Sequence, residues 1–317
     1  MTLGRFMQLV EIKTKAASMI PFAIGSLYAV YRFHEFQWLH FVLMFVSLLS
    51  FDMATTAINN YIDYKKAVKT QGYGYEEHNA IVKYGIKEWT VVGIIFILLG
   101  TAGVAGFILF LHTNLVVLLL GGLSFLVGIL YSFGPIPISR MPLGEIFSGL
   151  FMGFVIIFIS TYVHVGQGQL VSLLYDNGLL HVDINILEVL LVFFISSPAI
   201  MGIANIMLAN NISDMEDDIE NRRYTLPVYI GKLNALRLFR YAYWAAYLDL
   251  IVLWALGVHP AILLLVLLTY IPINRNIKLF EAKQTKKDTF ILSVRNFMIT
   301  NVARIAALGA AILLSQW

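Results

Sequence analysis

The residues of this chain predict an all-α polytopic membrane protein: nine transmembrane helices around a central cavity that opens to the cytoplasmic side. Three observations lead there. Of its 317 residues, 59% are hydrophobic and 13% charged, about half the charged share of an ordinary soluble domain. Apolar runs long enough, or nearly so, to cross a ~30 Å hydrocarbon core recur along the whole length. Lys and Arg gather in alternate connections between those runs, as the positive-inside rule requires.

The runs cover residues 16–33, 38–62, 90–111, 114–131, 143–163, 186–210, 233–256, 259–274 and 291–316. Arg5, Lys13 and Lys15 precede the first, and no cleavable signal peptide is evident, because many further runs follow it. The second run ends in Asn59-Asn60-Tyr61-Ile62-Asp63. Only His112-Thr113-Asn114 separates the third from the fourth, a turn too short for a soluble subdomain. The fifth is entered through three prolines and two glycines between Gly134 and Gly144, a stiff non-helical connection. The sixth leads directly into an acidic stretch. The eighth is short unless Asn274 to Leu279 extend it, and the ninth closes the chain. The whole of 1–317 reads as a single membrane domain.

Lys65, Lys66, Lys69, Lys83 and Lys87 share one side with Arg140, Arg222, Arg223, Lys232 and Arg237, and with the basic residues from Arg275 to Arg295. The opposite side holds Arg32 and six of the seven histidines. This asymmetry predicts a multi-pass protein of the cell membrane with a cytoplasmic N terminus and an external C terminus. The absence of cysteine excludes disulfides, a thiolate metal site and a cysteine nucleophile. A net charge of +3 gives no reason to expect nucleic acid; the expected surroundings are the lipid bilayer.

Chemistry concentrates at the predicted cytoplasmic ends. Asn59 and Asp63 lie four residues apart, as do Asn210, Asp214 and Asp218 in Asn210-Asn211-Ile212-Ser213-Asp214-Met215-Glu216-Asp217-Asp218. Such spacing keeps side chains on one helical face. Carboxylates beside a membrane-spanning helix are costly unless paired, metal-bound or wet, and a helix C-terminus disfavours them. Hard cations take oxygen ligands and share them with phosphates. Asn59 and Asp63, with Asn210, Asp214 and Asp218, therefore suggest a pair of Mg²⁺ clamps on a diphosphate. The plainer alternatives are an interhelical hydrogen-bond seam for the first stripe and a solvated acidic loop for the second.

Asp52, about 10 Å deeper by helix rise, continues the first stripe through Thr56. It reads equally as a cavity wall or as a helix-packing contact. Lys66 and Lys69 follow the first motif, Arg222 and Arg223 the second, and Arg140 lies in the proline-rich connection. Each is a candidate phosphate contact, though topology alone would place basic residues there. Tyr131 and Glu145 flank the same connection, Tyr131 as an aromatic interface anchor or a substrate contact. Glu145 reads as a catalytic carboxylate or as a helix N-terminal charge.

Together these motifs resemble the UbiA superfamily of intramembrane prenyltransferases along the whole chain. The likeness is greatest to its menaquinone branch, the 1,4-dihydroxy-2-naphthoate polyprenyltransferases. Asn59-Asn60-Tyr61-Ile62-Asp63 is similar to that branch's first motif, and Tyr131-Ser132-Phe133-Gly134-Pro135 with Leu143-Gly144-Glu145 to its middle loop. Asn210 to Asp214, continuing through Arg223-Tyr224-Thr225-Leu226-Pro227 to Gly231-Lys232, is similar to its second. Many members carry an acid where Asn60 stands, and the naphthoate branch usually has Arg at the position of Ser213; both departures bear on the acceptor.

The resemblance implies a Mg²⁺-dependent enzyme that joins a polyprenyl diphosphate to a small aromatic acid. The metal ligands would be Asp63, Asn59, Asp214, Asp218 and Asn210. Asn60, Lys66, Lys69, Tyr131, Arg140, Arg222, Arg223 and Asp52 would line the substrates, and Glu145 would act on the acceptor. The implied acceptor is 1,4-dihydroxy-2-naphthoate, which loses its carboxylate as demethylmenaquinone forms. Haem, chlorophyll, 4-hydroxybenzoate and glycerophosphate acceptors are the alternatives within the superfamily. An ion-coupled transporter is the rival from another class, and consumption of prenyl diphosphate separates enzyme from carrier.

Overall fold

The structure, a computed structural model, describes residues 1–66, 79–132, 137–220 and 223–315. Two compact units emerge: Met1–Met19 with Trp38–Phe133, and Ile20–Gln37 with Gly134–Trp317.

In the first unit, α1 (Leu3–Leu9) and a 3₁₀ turn (Ile12–Lys15) lead into α2 (Ala16–Phe33), most of which belongs to the second unit. Then come α3 (Trp38–Lys66), α4 (Ala80–Tyr84), α5 (Glu88–His112) and α6 (Leu115–Ser132). The main packing is α3 on α5. Small buried residues line that seam, Ala54 and Ala57 on α3 and Ala102 and Ala105 on α5, so the two backbones approach closely. Ser47 Oγ donates to the Ala102 carbonyl across it at 2.9 Å. Phe51 of α3 stacks on Phe125 of α6 with centroids 4.0 Å apart. Outward, Phe96 and Ile97 of α5 are 70% and 69% exposed, as lipid-facing side chains are.

In the second unit, α7 (Gly144–Ser148), a π-helical stretch (Gly149–Val155) and α8 (Ile156–Tyr162) form one continuous rod. A hairpin of β1 (Val171–Asp176) and β2 (Leu179–Ile184) follows, then α9 (Ile186–Ser213), the hub of the unit. Past α9 come α10 (Met215–Glu220), α11 (Leu226–Ile230) and α12 (Lys232–Ala245). A 3₁₀ turn (Ala246–Leu248), α13 (Asp249–Ala255), α14 (Pro260–Leu267), α15 (Tyr270–Ala282) and α16 (Phe290–Ser315) complete it.

The π stretch meets α9 through Gly153, where a Cβ would lie 2.6 Å from the backbone N and Cα of Ile200; only glycine fits without a shift. Leu208, Ala209 and Ile212 of α9 pack with Phe239, Tyr243, Ile273, Ile277 and Phe280 in the core. A buried ion pair ties α13 to α16, Arg304 donating from Nε and Nη2 to Asp249 at 2.8 and 2.7 Å.

Among the described residues, six helical segments are long and apolar enough to cross a membrane: Trp38–Lys65, Glu88–His112, Gly144–Tyr162, Ile186–Ser213, Pro260–Ala282 and Phe290–Leu314. Leu115–Tyr131 is apolar but shorter. The protein is thus a multi-pass membrane protein. The expected run at 233–256 is broken by its 3₁₀ turn. The hairpin is an addition to the all-helical expectation. Asn177 and Gly178 both take positive φ, 49° and 82°, which is the tight-turn geometry that Asn-Gly favours.

Candidate functional site

In the first unit the site residues ride on the last two turns of α3. Asn59 is half-buried, and its Oδ1 is buried with no hydrogen-bond partner among the described residues. Asp63, one turn on, is exposed. Asn60 faces another way: its Nδ2 donates to the Leu9 carbonyl (2.9 Å) and to Glu11 (3.2 Å), while its backbone carbonyl accepts from Asn79 Nδ2 at 2.8 Å. Asn79 also caps α4, so Asn60 ties α1, α3 and α4 together. Tyr131 is half-buried in the last turn of α6. Lys69 lies outside the described residues, as does the side chain of Lys66.

Deeper on α3, Asp52 is bound to Lys15, whose Nζ donates to Asp52 Oδ1 at 2.7 Å and to Thr56 Oγ1 at 2.6 Å. Ser18 Oγ donates to the other carboxylate oxygen. Lys15 is only 3% exposed. Its place in the sequence gave a topological signal alone; the Asp52/Thr56 stripe facing it was the one clue to a buried partner.

In the second unit the acidic motif spans the break between α9 and α10. Asp214 is the C-terminal cap of α9, and the Asp218 N–H donates to its carbonyl at 2.7 Å, so the helical path continues and keeps both carboxylates near each other. Asn210, one turn before Asp214, is half-buried. Asp218 is 3% exposed. It accepts from Thr225 Oγ1 at 3.2 Å and lies 3.4 Å from Arg223 Nε, a nitrogen that makes no hydrogen bond among the described residues. Burial pushes the Asp218 carboxyl above the ordinary aspartate range, and nearby Asp214 adds to this; Arg223, Thr225 and Lys286 pull the other way. Lys286 Nζ pairs with Asp214. Glu216 and Glu220 point outward and are exposed.

Glu145, at the start of α7, is 4% exposed and accepts from Asn211 Nδ2 at 2.8 Å. Its second oxygen and Asn211 Oδ1 are both buried without a hydrogen-bond partner among the described residues. Two such acceptors on one hydrogen-bonded pair can take a donor from water or from a bound hydroxyl. Arg140 is exposed on a 3₁₀ turn, Ile138–Arg140, and Arg222 lies outside the described residues, as do Phe133 to Ile136 of the middle loop. Sequence reasoning missed Asn211 and Lys286 as site residues. Asn211 stood in plain view inside the motif, whereas Lys286 comes from another helix connection that no local spacing links to Asp214.

The candidate ligands are all oxygens: Asn59 and Asp63 in one unit, Asn210, Asp214 and Asp218 in the other. Among the described residues, no three His, Asp or Glu side chains form a metal cage. The oxygen donors suit Mg²⁺, which is commonly held by one or two carboxylates with phosphate and water filling the remaining positions. The unpaired, buried Oδ1 of Asn59 fits it too.

A profile of the UbiA prenyltransferase family matches residues 18–301. The chain is 29% identical over 253 residues to the 1,4-dihydroxy-2-naphthoate octaprenyltransferase of Bacillus subtilis (strain 168), covering 79% of this chain and 72% of that protein. It is 24% identical over 239 residues to a UbiA prenyltransferase domain-containing protein of Dictyostelium discoideum, covering 74% and 66%. Among solved structures, a UbiA homolog from Archaeoglobus fulgidus bound to DMAPP and Mg²⁺ matches with a TM-score of 0.62 at 15% identity, over 97% of this chain and 99% of that one. The apo UbiA homolog from Aeropyrum pernix K1 gives 0.63 at 17%, over 94% and 98%. At such identities the likeness is one of fold.

Proposed function

The chain belongs to the UbiA prenyltransferase family, and from that premise we propose that it transfers a polyprenyl group from an allylic diphosphate to 1,4-dihydroxy-2-naphthoate, yielding demethylmenaquinol, the reduced form of demethylmenaquinone. The enzyme class follows from the family; the acceptor and the loss of its carboxylate are our reading. One observation carries it: an Asn-x-x-x-Asp oxygen stripe closes an apolar span in each unit. The name of the Bacillus relative supports the acceptor. Relatives solved with DMAPP or GPP and Mg²⁺ support the donor and the metal.

Each oxygen stripe, Asn59 with Asp63 and Asn210 with Asp214 and Asp218, would hold Mg²⁺, which when bound would neutralise charge gathering on a departing diphosphate. Arg223 offers the unused Nε, and Lys286 its ammonium, to phosphate oxygens. The allylic C–O bond breaks with its electron pair leaving on diphosphate. A naphthoate ring carbon forms the new C–C bond, and the carboxylate leaves as CO₂, returning its electrons to the ring. Glu145 and Asn211 accept the acceptor's hydroxyl protons in hydrogen bonds and so fix which ring carbon faces the cation.

We read all nine apolar runs as crossings, with the N terminus and the reaction on the cytoplasmic side and the C terminus outside. The family match extends into both compact units, which supports treating 1–317 as one catalytic domain. The test is product analysis of membranes given Mg²⁺, a polyprenyl diphosphate and a panel of aromatic acids. A prenylated, decarboxylated naphthoquinol is expected; efficient prenylation of 4-hydroxybenzoate without the naphthoate product would overturn the acceptor.

A further inference from the structure

The hairpin between α8 and α9 has two unlike faces. Its register pairs Val171 with Ile184, Leu173 with Val182 and Tyr175 with Leu180. Alternation along each strand therefore puts these six apolar residues on one face. The other carries Ser172, Asp176, His181 and Asp183, with Leu174 and Leu179. Toward the turn and along β2 the apolar face is uncovered: Tyr175 is 78% exposed, Leu180 57%, Val182 51% and Ile184 55%, while Val171 and Leu173 at the base of β1 are half-buried.

We propose that this hairpin is a membrane-interface anchor, its Tyr175/Leu180/Val182 face lying in the headgroup and upper acyl region of the bilayer. Its base is fixed to two spans. Tyr162 at the end of α8 donates its hydroxyl to the Val171 carbonyl at 3.0 Å, and the Asn185 N–H donates to the Leu170 carbonyl at 2.9 Å. Asn185 caps α9, so the apolar face passes within two residues into Ile186 and Leu187, 68% and 64% exposed on a membrane span. The exposed apolar surface of the hairpin is thus continuous along the chain with a surface that faces lipid.

The backbone sets the depth. A two-stranded sheet has open edges, whose unpaired N–H and C=O groups cannot be satisfied in hydrocarbon. Asp176, His181 and Asp183 exclude burial of the second face as well. An element with one greasy face and free edges is stable at the boundary, where edges reach water and headgroups while the apolar side chains leave water. Tyr175, with an apolar ring and a polar tip, suits that level.

The absence of cysteine makes the test clean. Single substitutions Leu180→Cys and Val182→Cys on the apolar face, and His181→Cys and Asp183→Cys on the other, are labelled with an environment-sensitive fluorophore. The full-length protein is reconstituted into phosphatidylcholine vesicles with and without brominated lipid. We expect an alternating pattern: blue-shifted emission quenched by brominated lipid at 180 and 182, and red-shifted emission quenched by aqueous iodide at 181 and 183. Equal iodide quenching at all four positions would overturn the anchor. So would shielding at 180 and 182 without quenching by brominated lipid, and loss of that shielding on dilution in lipid would assign the face to a second copy of the chain.

Discussion

Asp214 and Asp218 sit beside cations, Lys286 and Arg223, yet Asp218 is still pushed above its usual pKa range by burial. An incoming divalent ion would relieve that cost, whereas an alanine would remove both the cost and the ligand. Asp214→Ala and Asp218→Ala are therefore expected to abolish turnover while leaving the protein folded and inserted, and Asp63→Ala likewise. Glu216→Ala and Glu220→Ala, both at exposed positions, should retain near-normal rates. Mg²⁺-dependent activity measured across this set decides the assignment; a fully active Asp218→Ala would remove the second clamp. At this scale the sequence showed the stripes, because four-residue spacing needs no tertiary knowledge. It could not show that Asn60 ties α1 to α4 or that Lys15 is buried on Asp52. Those contacts join residues tens of positions apart, and a lysine ahead of a span looks the same whether it meets water or a carboxylate.

Among the elements, α9 matters most, since it carries Asn210 and Asn211 and packs on the π stretch through Gly153. Gly153→Ala places a methyl 2.6 Å from the Ile200 backbone, and overpacking of this kind costs about 1–3 kcal/mol. Thermal unfolding in detergent should fall accordingly, with Gly100→Ala, where nothing lies within 4 Å of an added Cβ, as the unchanged control. The apolar runs announced the helices well because length and hydropathy are local properties. The hairpin went unread although Val171 to Ile184 alternates in period two around Asn177-Gly178. Between two spans, a short polar-flanked segment reads as a loop unless its alternation is counted. The break in the 233–256 run is invisible to a hydropathy average, whereas the eighth run gains the length expected from Asn274 to Leu279, within the segment Pro260–Ala282.

For the whole molecule, family membership and the helical membrane fold stand together, and orientation rests on the basic residues. With no native cysteine, Asp176→Cys should react with an impermeant maleimide added outside, and Lys283→Cys only when it is added inside; the reverse pattern would invert the topology. The naphthoate acceptor was never written in residue chemistry, because an aromatic ring leaves no spacing or charge signature, and it came from likeness to a branch of the family. The buried oxygens of Glu145 and Asn211, without a donor among the described residues, suit the hydroxylated acceptor proposed above. Diphosphate release by the purified, lipid-reconstituted protein tests directly whether these residues make a metal-dependent prenyltransferase. One diphosphate is expected for each prenylated naphthol formed, only when Mg²⁺, polyprenyl diphosphate and 1,4-dihydroxy-2-naphthoate are all present. Polyprenyl diphosphate left intact under those conditions would contradict that assignment.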